Sequence, residues 1–363
     1  MGIKIDDDNV VTLIRIKHRK DIYKSFPKKV FCNYEYFKKM LKCLQKIVYD
    51  YIYITKSYFF GGLMGKKIII VCITIITLLC VVVFGAAWHF SNQLINPKPY
   101  TCQTDHFVYC EGASQLGIPY QDIEFKNDEN LTLRGWFFPA KTTNAIVMVH
   151  GITADRREGL RWVKALHKAG FNLLLFDLRN HGKSDKAKTA MGYNEKNDVV
   201  AAVSFLQSKG FTNIGVFGVS MGASTAIQAM AKDTRIKAGV FEAAFANLGD
   251  LLAEIAKRDF GLPRFPLINA VMWVYSTRLG ADANAINPED FIGNISPRPV
   301  FIIHCDNDDY IAYHHGQRIF AKAKEPKIMW TAHCTKHARA WQSNPQEAEK
   351  RVVDFYNKYI KKN

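Results

Sequence analysis

Apolar and polar positions divide this chain of 363 residues into stretches of different character. Residues 68–87 form twenty consecutive positions without a charge, enough for about 30 Å of helix, the thickness of a bilayer's hydrocarbon core. From Tyr120 onward, short apolar runs alternate with stretches of helical period. Strands are predicted at 121–126 and 131–138, joined by the Asn127-Asp128-Glu129-Asn130 turn as an antiparallel hairpin. Others are predicted at 145–150, 172–177, 214–219, 238–242, 300–304 and 327–330. Most are unbroken runs of Val, Ile, Leu and Phe, the signature of strands covered on both faces of a parallel sheet. Helices fit between them at 156–169, 195–208, 221–232, 313–322 and 345–361. The pattern predicts an α/β fold, a doubly wound and mostly parallel sheet with an antiparallel start, preceded by one transmembrane helix.

The rhythm breaks between about 245 and 297, where helix-like segments occur around 248–257 and 267–279. An insertion after the sixth strand is expected to form a helical cap over the strands' carboxyl ends, where open α/β sheets bind ligands. Ordinary crossover helices on the flank are the alternative. The resulting organisation is a basic tail at 1–67, an anchor at 68–88, a linker at 89–119 and an α/β domain at 120–363 with its cap at about 245–297.

Charge refines the ends of this picture. The formal net charge is +16, and residues 1–67 alone carry fifteen Lys/Arg against six Asp/Glu. No basic helix, aromatic stacking platform or zinc spacing accompanies the excess, so no nucleic-acid partner is expected. Lys66 and Lys67 precede the apolar run and Trp88 follows it. That asymmetry predicts a single-pass membrane protein with its N-terminus cytoplasmic and its large domain extracytoplasmic. Gly85-Ala86-Ala87 resembles a signal-peptidase site, but the run exceeds the usual apolar core of a signal, so retention is expected. Two readings of the first sixty-three residues stay open: a cytoplasmic tail drawn to anionic lipid, or an untranslated segment ahead of a start at Met64. Little compact structure is expected there in either case.

Gly218-Val219-Ser220-Met221-Gly222 lies where the strand at 214–219 runs into the helix at 221–232, which makes it a candidate G-x-S-x-G nucleophile elbow. Asp308 follows the strand at 300–304 and His337 follows that at 327–330, so all three residues fall on loops at one sheet edge, in the order Ser, Asp, His. The chemistry needs each of them: a serine hydroxyl is unreactive at neutral pH until a base takes its proton, and a carboxylate must orient that base. Asp306 and Asp309 are alternatives for the acid, and His333 for the base. The Met221 N–H and the Ile152 N–H, with Thr153 as second choice, are the candidate oxyanion hole. His150 is expected to be structural and Arg179-Asn180-His181-Gly182 a loop scaffold from which His181 could reach substrate. Glu195 and Asp198 are assigned to favourable interaction with a helix dipole.

These residues carry a family resemblance. His150-Gly151, Asp177-Leu178-Arg179-Asn180-His181-Gly182-Lys183-Ser184, the elbow at Ser220, Asp308-Asp309-Tyr310-Ile311 and His337-Ala338-Arg339-Ala340-Trp341 occur in an order that resembles the α/β-hydrolase superfamily. Within it, the chain is similar to membrane-anchored bacterial serine hydrolases of the esterase and serine aminopeptidase-like lipase group. The resemblance implies hydrolysis of a small-molecule carboxylic ester through an acyl-enzyme on Ser220, Asp308 and His337, without a metal or organic cofactor. Peptidase or thioesterase activity on the same residues, and a silent binding scaffold, are the alternatives. Cys305 and Ala312 depart from the family's usual glycine and proline. The aromatic cap residues Phe260, Phe265, Trp273 and Tyr275 point to short or medium acyl groups.

The eight cysteines include no C-x-x-C pair, so zinc and dithiol chemistry are not expected. Export would permit disulfides. Cys305 with Cys334, each at the end of a strand, and Cys102 with Cys110 are the candidate pairs, with free thiols as the alternative.

Overall fold

A computed structural model describes residues 64–99, 102 and 108–361, together with two strands near the N-terminus. The chain divides into two compact units, Met1–Val81 and Val82–Asn363. In the first, β1 (Gly2–Ile5) and β2 (Val11–Ile14) pair antiparallel, a ribbon that the sequence pattern did not indicate. The rest of the expected basic tail, with Cys32 and Cys43, lies outside the described residues. Helix α1 (Met64–Ile95) begins in this unit and ends in the next. It runs past the expected anchor boundary at residue 88, so that part of the expected linker is helical.

The second unit is built on an eight-stranded sheet. Its strands are β3 (Gln121–Lys126), β4 (Thr132–Phe138), β5 (Asn144–Val149), β6 (Asn172–Phe176), β7 (Asn213–Val219), β8 (Ile236–Glu242), β9 (Val300–Cys305) and β10 (Lys327–Ala332). Their spatial order is β10-β9-β8-β7-β5-β6-β4-β3, antiparallel only where β4 meets β3 and β6. All six residues of β5 and all five of β6 are buried, which is why these strands read as unbroken apolar runs rather than alternating ones. Burying each Leu, Ile, Val or Phe side chain contributes about 1.5–3 kcal/mol before chain entropy is counted.

From β5 the chain winds first to β6 on one side and then to β7 on the other, with Val149 opposite Phe176 and Gly218. The carboxyl ends of β5 and β7 therefore flank a topological switch point, the place where this class of sheet opens a crevice. The helices are α2 (Leu160–Lys168), α3 (Glu195–Ser208), α4 (Met221–Lys232), α5 (Leu248–Phe260), α6 (Leu267–Leu279), α7 (Pro288–Phe291), α8 (Tyr313–Lys322), α9 (Ala340–Ser343) and α10 (Pro345–Tyr359). The stretch predicted as one helix at 156–169 instead opens with a 3-10 turn, Arg156–Gly159, which the Asp155 side chain caps by accepting from the Arg157 N–H. Between β8 and β9 stand α5, α6 and α7, the expected helical insertion.

Candidate active site

The turn from β7 into α4 is held by close backbone approach. A Cβ on Gly218 would lie 2.4 Å from the Gly222 carbonyl oxygen, and one on Gly222 would lie 2.3 Å from the Val149 oxygen. Both neighbours are backbone and cannot move aside, so only glycine fits at either position. Ser220 between them has φ 56° and ψ −122°, a strained conformation for a residue with a side chain. Its N–H donates to the Glu242 carbonyl at 2.8 Å, tying the turn to the end of β8. The strain lifts the hydroxyl toward the carboxyl edge, at the N-terminus of α4.

The His337 Nε2 lies 2.8 Å from the Ser220 Oγ. On the other side of the ring, Nδ1 lies 2.8 Å from Asp308 Oδ2 and 3.1 Å from Oδ1. Asp308 is fixed in turn, because its Oδ1 accepts from the Tyr310 and Ile311 N–H groups at 2.9 and 2.8 Å. Burial opposes the His337 imidazolium, but the Asp308 charge and hydrogen bond outweigh it, so the group titrates above its ordinary value. Burial likewise opposes the Asp308 carboxylate, and His337 with the backbone donors outweighs it, so Asp308 titrates below its ordinary value.

The other sequence candidates fall elsewhere. Asp306 and His333 pair with each other, Nδ1 to Oδ2 at 2.6 Å, with the His333 side chain exposed to solvent. Asp309 accepts from the His337 backbone N–H at 2.9 Å and so supports the histidine's loop, not its ring. The Cys305–Cys334 disulfide joins the end of β9 to the loop after β10, and Cys102–Cys110 forms a second bridge. A Cβ on Gly151 would come within 3.2 Å of the Ser220 Cβ, so the loop carrying Ile152 and Thr153 passes directly beside the serine. Thr153 takes a positive φ of 65° there.

His150 has the expected structural part, with Nε2 accepting from the Leu178 N–H at 3.0 Å. His181 is buried against it, ring centroids 5.0 Å apart, and burial pushes it down to about 3. Glu195 and Asp198 do more than answer a helix dipole. Glu195 accepts from the Ala190 and Gly192 N–H groups at 2.7 and 2.8 Å, and Asp198 binds the buried Arg179 guanidinium at 2.8 Å. Of the cap aromatics, Phe265 and Trp273 turn outward and Tyr275 is buried with its hydroxyl on the Thr189 carbonyl. These three therefore give no support to a short-acyl preference.

Two groups of supporting residues were not singled out from the sequence. Glu242, at the end of β8, pairs with Arg161 at 3.2 Å, both side chains 1% exposed, and its other oxygen accepts from the Ala340 N–H. A lone acid closing an apolar strand was the available signal. Arg258 on α5 donates to the Asp309 and Tyr310 carbonyls at 2.6 and 3.2 Å, and the Tyr310 ring lies 5.3 Å from the His337 ring. The cap thus braces the acid loop.

Among the described residues, Glu254, His314 and His315 have the side-chain types and spacing to hold a metal ion. His315 Nδ1 accepts from the Ala246 N–H at 3.1 Å, so its Nε2 carries the proton and faces Glu254 Oε2 at 3.2 Å. That nitrogen has no lone pair for a metal, and the group reads as a hydrogen-bonded cluster.

A family model for the α/β-hydrolase fold matches residues 144–272. The chain is 31% identical to YqkD of Bacillus subtilis, itself uncharacterized, over 223 residues that make up 60% of this chain and 72% of that protein. The chain belongs to the α/β-hydrolase superfamily. An esterase of Pyrococcus furiosus superposes with a TM-score of 0.61 and 26% identity, over 74% of this chain and 99% of that one. The thiohydrolase aneE of Aspergillus aculeatus is 32% identical over 152 residues, which are 38% of this chain and 48% of that protein. The chain is therefore an esterase-like α/β hydrolase.

Proposed function

We propose that this α/β hydrolase is a membrane-anchored serine hydrolase that cleaves a carboxylic ester through an acyl-enzyme. The observation that carries the reading is the continuous line from Asp308 through His337 to Ser220, each step 2.8 Å. In it, the Ser220 Oγ attacks the ester carbonyl carbon as its proton passes to His337 Nε2. The Met221 and Ile152 N–H groups receive the oxyanion, the first as an orphan donor of a helix's first turn. The tetrahedral intermediate then collapses, the C–O bond breaks, and the alcohol leaves with the proton from Nε2. Water, deprotonated by His337, releases the acid and restores the serine.

Retention of the anchor is supported by the helix itself. Ala86 and Ala87 lie inside the continuous helix and are buried, at 7% and 0% exposure, so the stretch after the apolar run packs as part of the folded chain. The segment Ile70–Ile95 is long and apolar enough to span a bilayer. With Lys66 and Lys67 on the preceding side, the hydrolase domain lies outside the cytoplasm.

The test is hydrolysis of a panel of p-nitrophenyl esters, thioesters and aminoacyl amides by wild type and Ser220→Ala. Ester turnover in wild type that falls roughly 10⁴-fold or more in the variant is the expected result. Turnover that survives the substitution would remove Ser220 from the chemistry. A thioester preference is the second reading, favoured by the partial likeness to a thiohydrolase, and the same panel separates the two.

A further inference from the structure

Large apolar side chains exposed outside α1 are few among the described residues. Phe265 is 75% exposed, Trp273 61% and Ile328 37%. The two most exposed both belong to the cap, on α6 or at its entry. Two exposed aromatics on one short insertion set this part of the cap apart from the rest of the described surface outside α1.

What covers it follows from its neighbour. Trp273 meets Phe84 edge-on, ring centroids 5.9 Å apart. Phe84 lies within the uncharged run at 68–87 and is itself 48% exposed. It stands one helical turn, about 6 Å, before Trp88, which marks the interfacial end of the run. Whatever medium bathes Phe84 therefore reaches Trp273. The Arg278 guanidinium lies 4.2 Å from the Trp88 ring centroid and binds Ser91 Oγ at 3.1 Å and Asn92 Oδ1 at 2.9 Å. A cation thus stands at headgroup depth, above the aromatic pair. Beside Trp273 opens a cleft of about 270 Å³ whose lining mixes Arg264, Asn269 and Asp282 with Ile268 and Met272.

We infer that the face of the cap that carries Trp273, with Phe265 at the entry of the same helix, is seated in the interface of the bilayer that α1 spans. The inference rests on the retained anchor of the proposed function. Its catalytic consequence is that the preferred esters are acyl lipids of that same leaflet, which reach Ser220 beneath a cap already resting among them. Phe265 and Trp273 are not part of the Ser220 site, and their loss leaves soluble substrates unaffected.

The test uses the full chain reconstituted in vesicles of phosphatidylcholine and phosphatidylglycerol, with and without lipids brominated on the upper acyl chain. The wild type should out-fluoresce Trp273→Phe in plain vesicles, and that excess should be lost in brominated ones. An excess that persists would overturn the inference, whether a second copy or another protein shields the face instead. Release of the chain from vesicles by alkaline carbonate would overturn the anchor, and the inference with it. In a second measurement, Phe265→Ser/Trp273→Ser should lower hydrolysis of a vesicle-embedded monoacylglycerol while p-nitrophenyl butyrate hydrolysis stays at the wild-type rate. An unchanged ratio would contradict the lipid-substrate consequence. Loss of both activities in Ser220→Ala, with quenching intact, shows that the face and the chemistry are read independently.

Discussion

His337 sits between a hydroxyl and a carboxylate, and in the proposed chemistry its protonation state decides whether Ser220 can lose a proton. The ring acts as a base only when neutral. Because its imidazolium titrates above the ordinary histidine value, kcat/KM should fall as pH drops through a midpoint above 6.5. Asp308→Asn removes the main charge that holds the proton while leaving burial in place. The acid limb of the pH profile should then move to lower pH as the plateau falls by roughly 10³–10⁴-fold. A limb that stays fixed in this variant would mean that another group sets it. The left-handed Ser220 and the two glycines beside it belong to the same scale: Gly222→Ala puts a methyl against the Val149 carbonyl and should cost both folding and turnover.

At the scale of elements, two braces hold the loops that carry these side chains. The buried Arg161–Glu242 pair joins α2 to β8 and, through the Ala340 N–H, to the stretch just after His337. Glu242→Gln leaves the Arg161 charge buried without a full partner and should destabilise the fold by about 3–5 kcal/mol, measured by denaturant unfolding. The Cys305–Cys334 bridge ties the acid strand to the histidine loop. Cys305→Ser/Cys334→Ser should lower Tm and kcat together, and an unaltered Tm would show that the bridge contributes nothing.

The central strands were legible because they are buried apolar runs bounded by turns, β3 and β4 were legible from the turn that joins them, and α3, α6 and α8 fall where their helical patterns begin and end. The order of Ser220, Asp308 and His337 was legible as well, since each follows a strand. What could not be read was the partner of any buried charge: Glu242 closes an apolar strand, but Arg161 lies 81 positions away and nothing local links the two. Asp308 was preferred over Asp306 and Asp309 from its place after the strand, and it is the Asp308 carboxylate that faces the ring. The orientation of the cap aromatics was hidden for a different reason: α6 is apolar around most of its circumference, so its period does not say which face looks outward.

At the scale of the whole molecule, the last turns of α1 belong to the hydrolase unit rather than to a linker. Ser91, Leu94 and Ile95 are buried, and the Ile95 carbonyl accepts from the Thr189 N–H and the Asn180 amide, each at 3.0 Å. Cleavage after Ala87 would divide this helix. Intact-mass measurement of the membrane-extracted protein should therefore show residues 88–95 still joined to the apolar run, and a mature chain starting at Trp88 would contradict the anchor. The proposed chemistry requires that Ser220 be the residue that becomes acylated. A fluorophosphonate probe followed by peptide mapping tests this most directly. One adduct is expected, on Ser220, absent after His337→Ala at the same exposure; an adduct on another residue, or none on folded protein, would contradict the proposed role of Ser220.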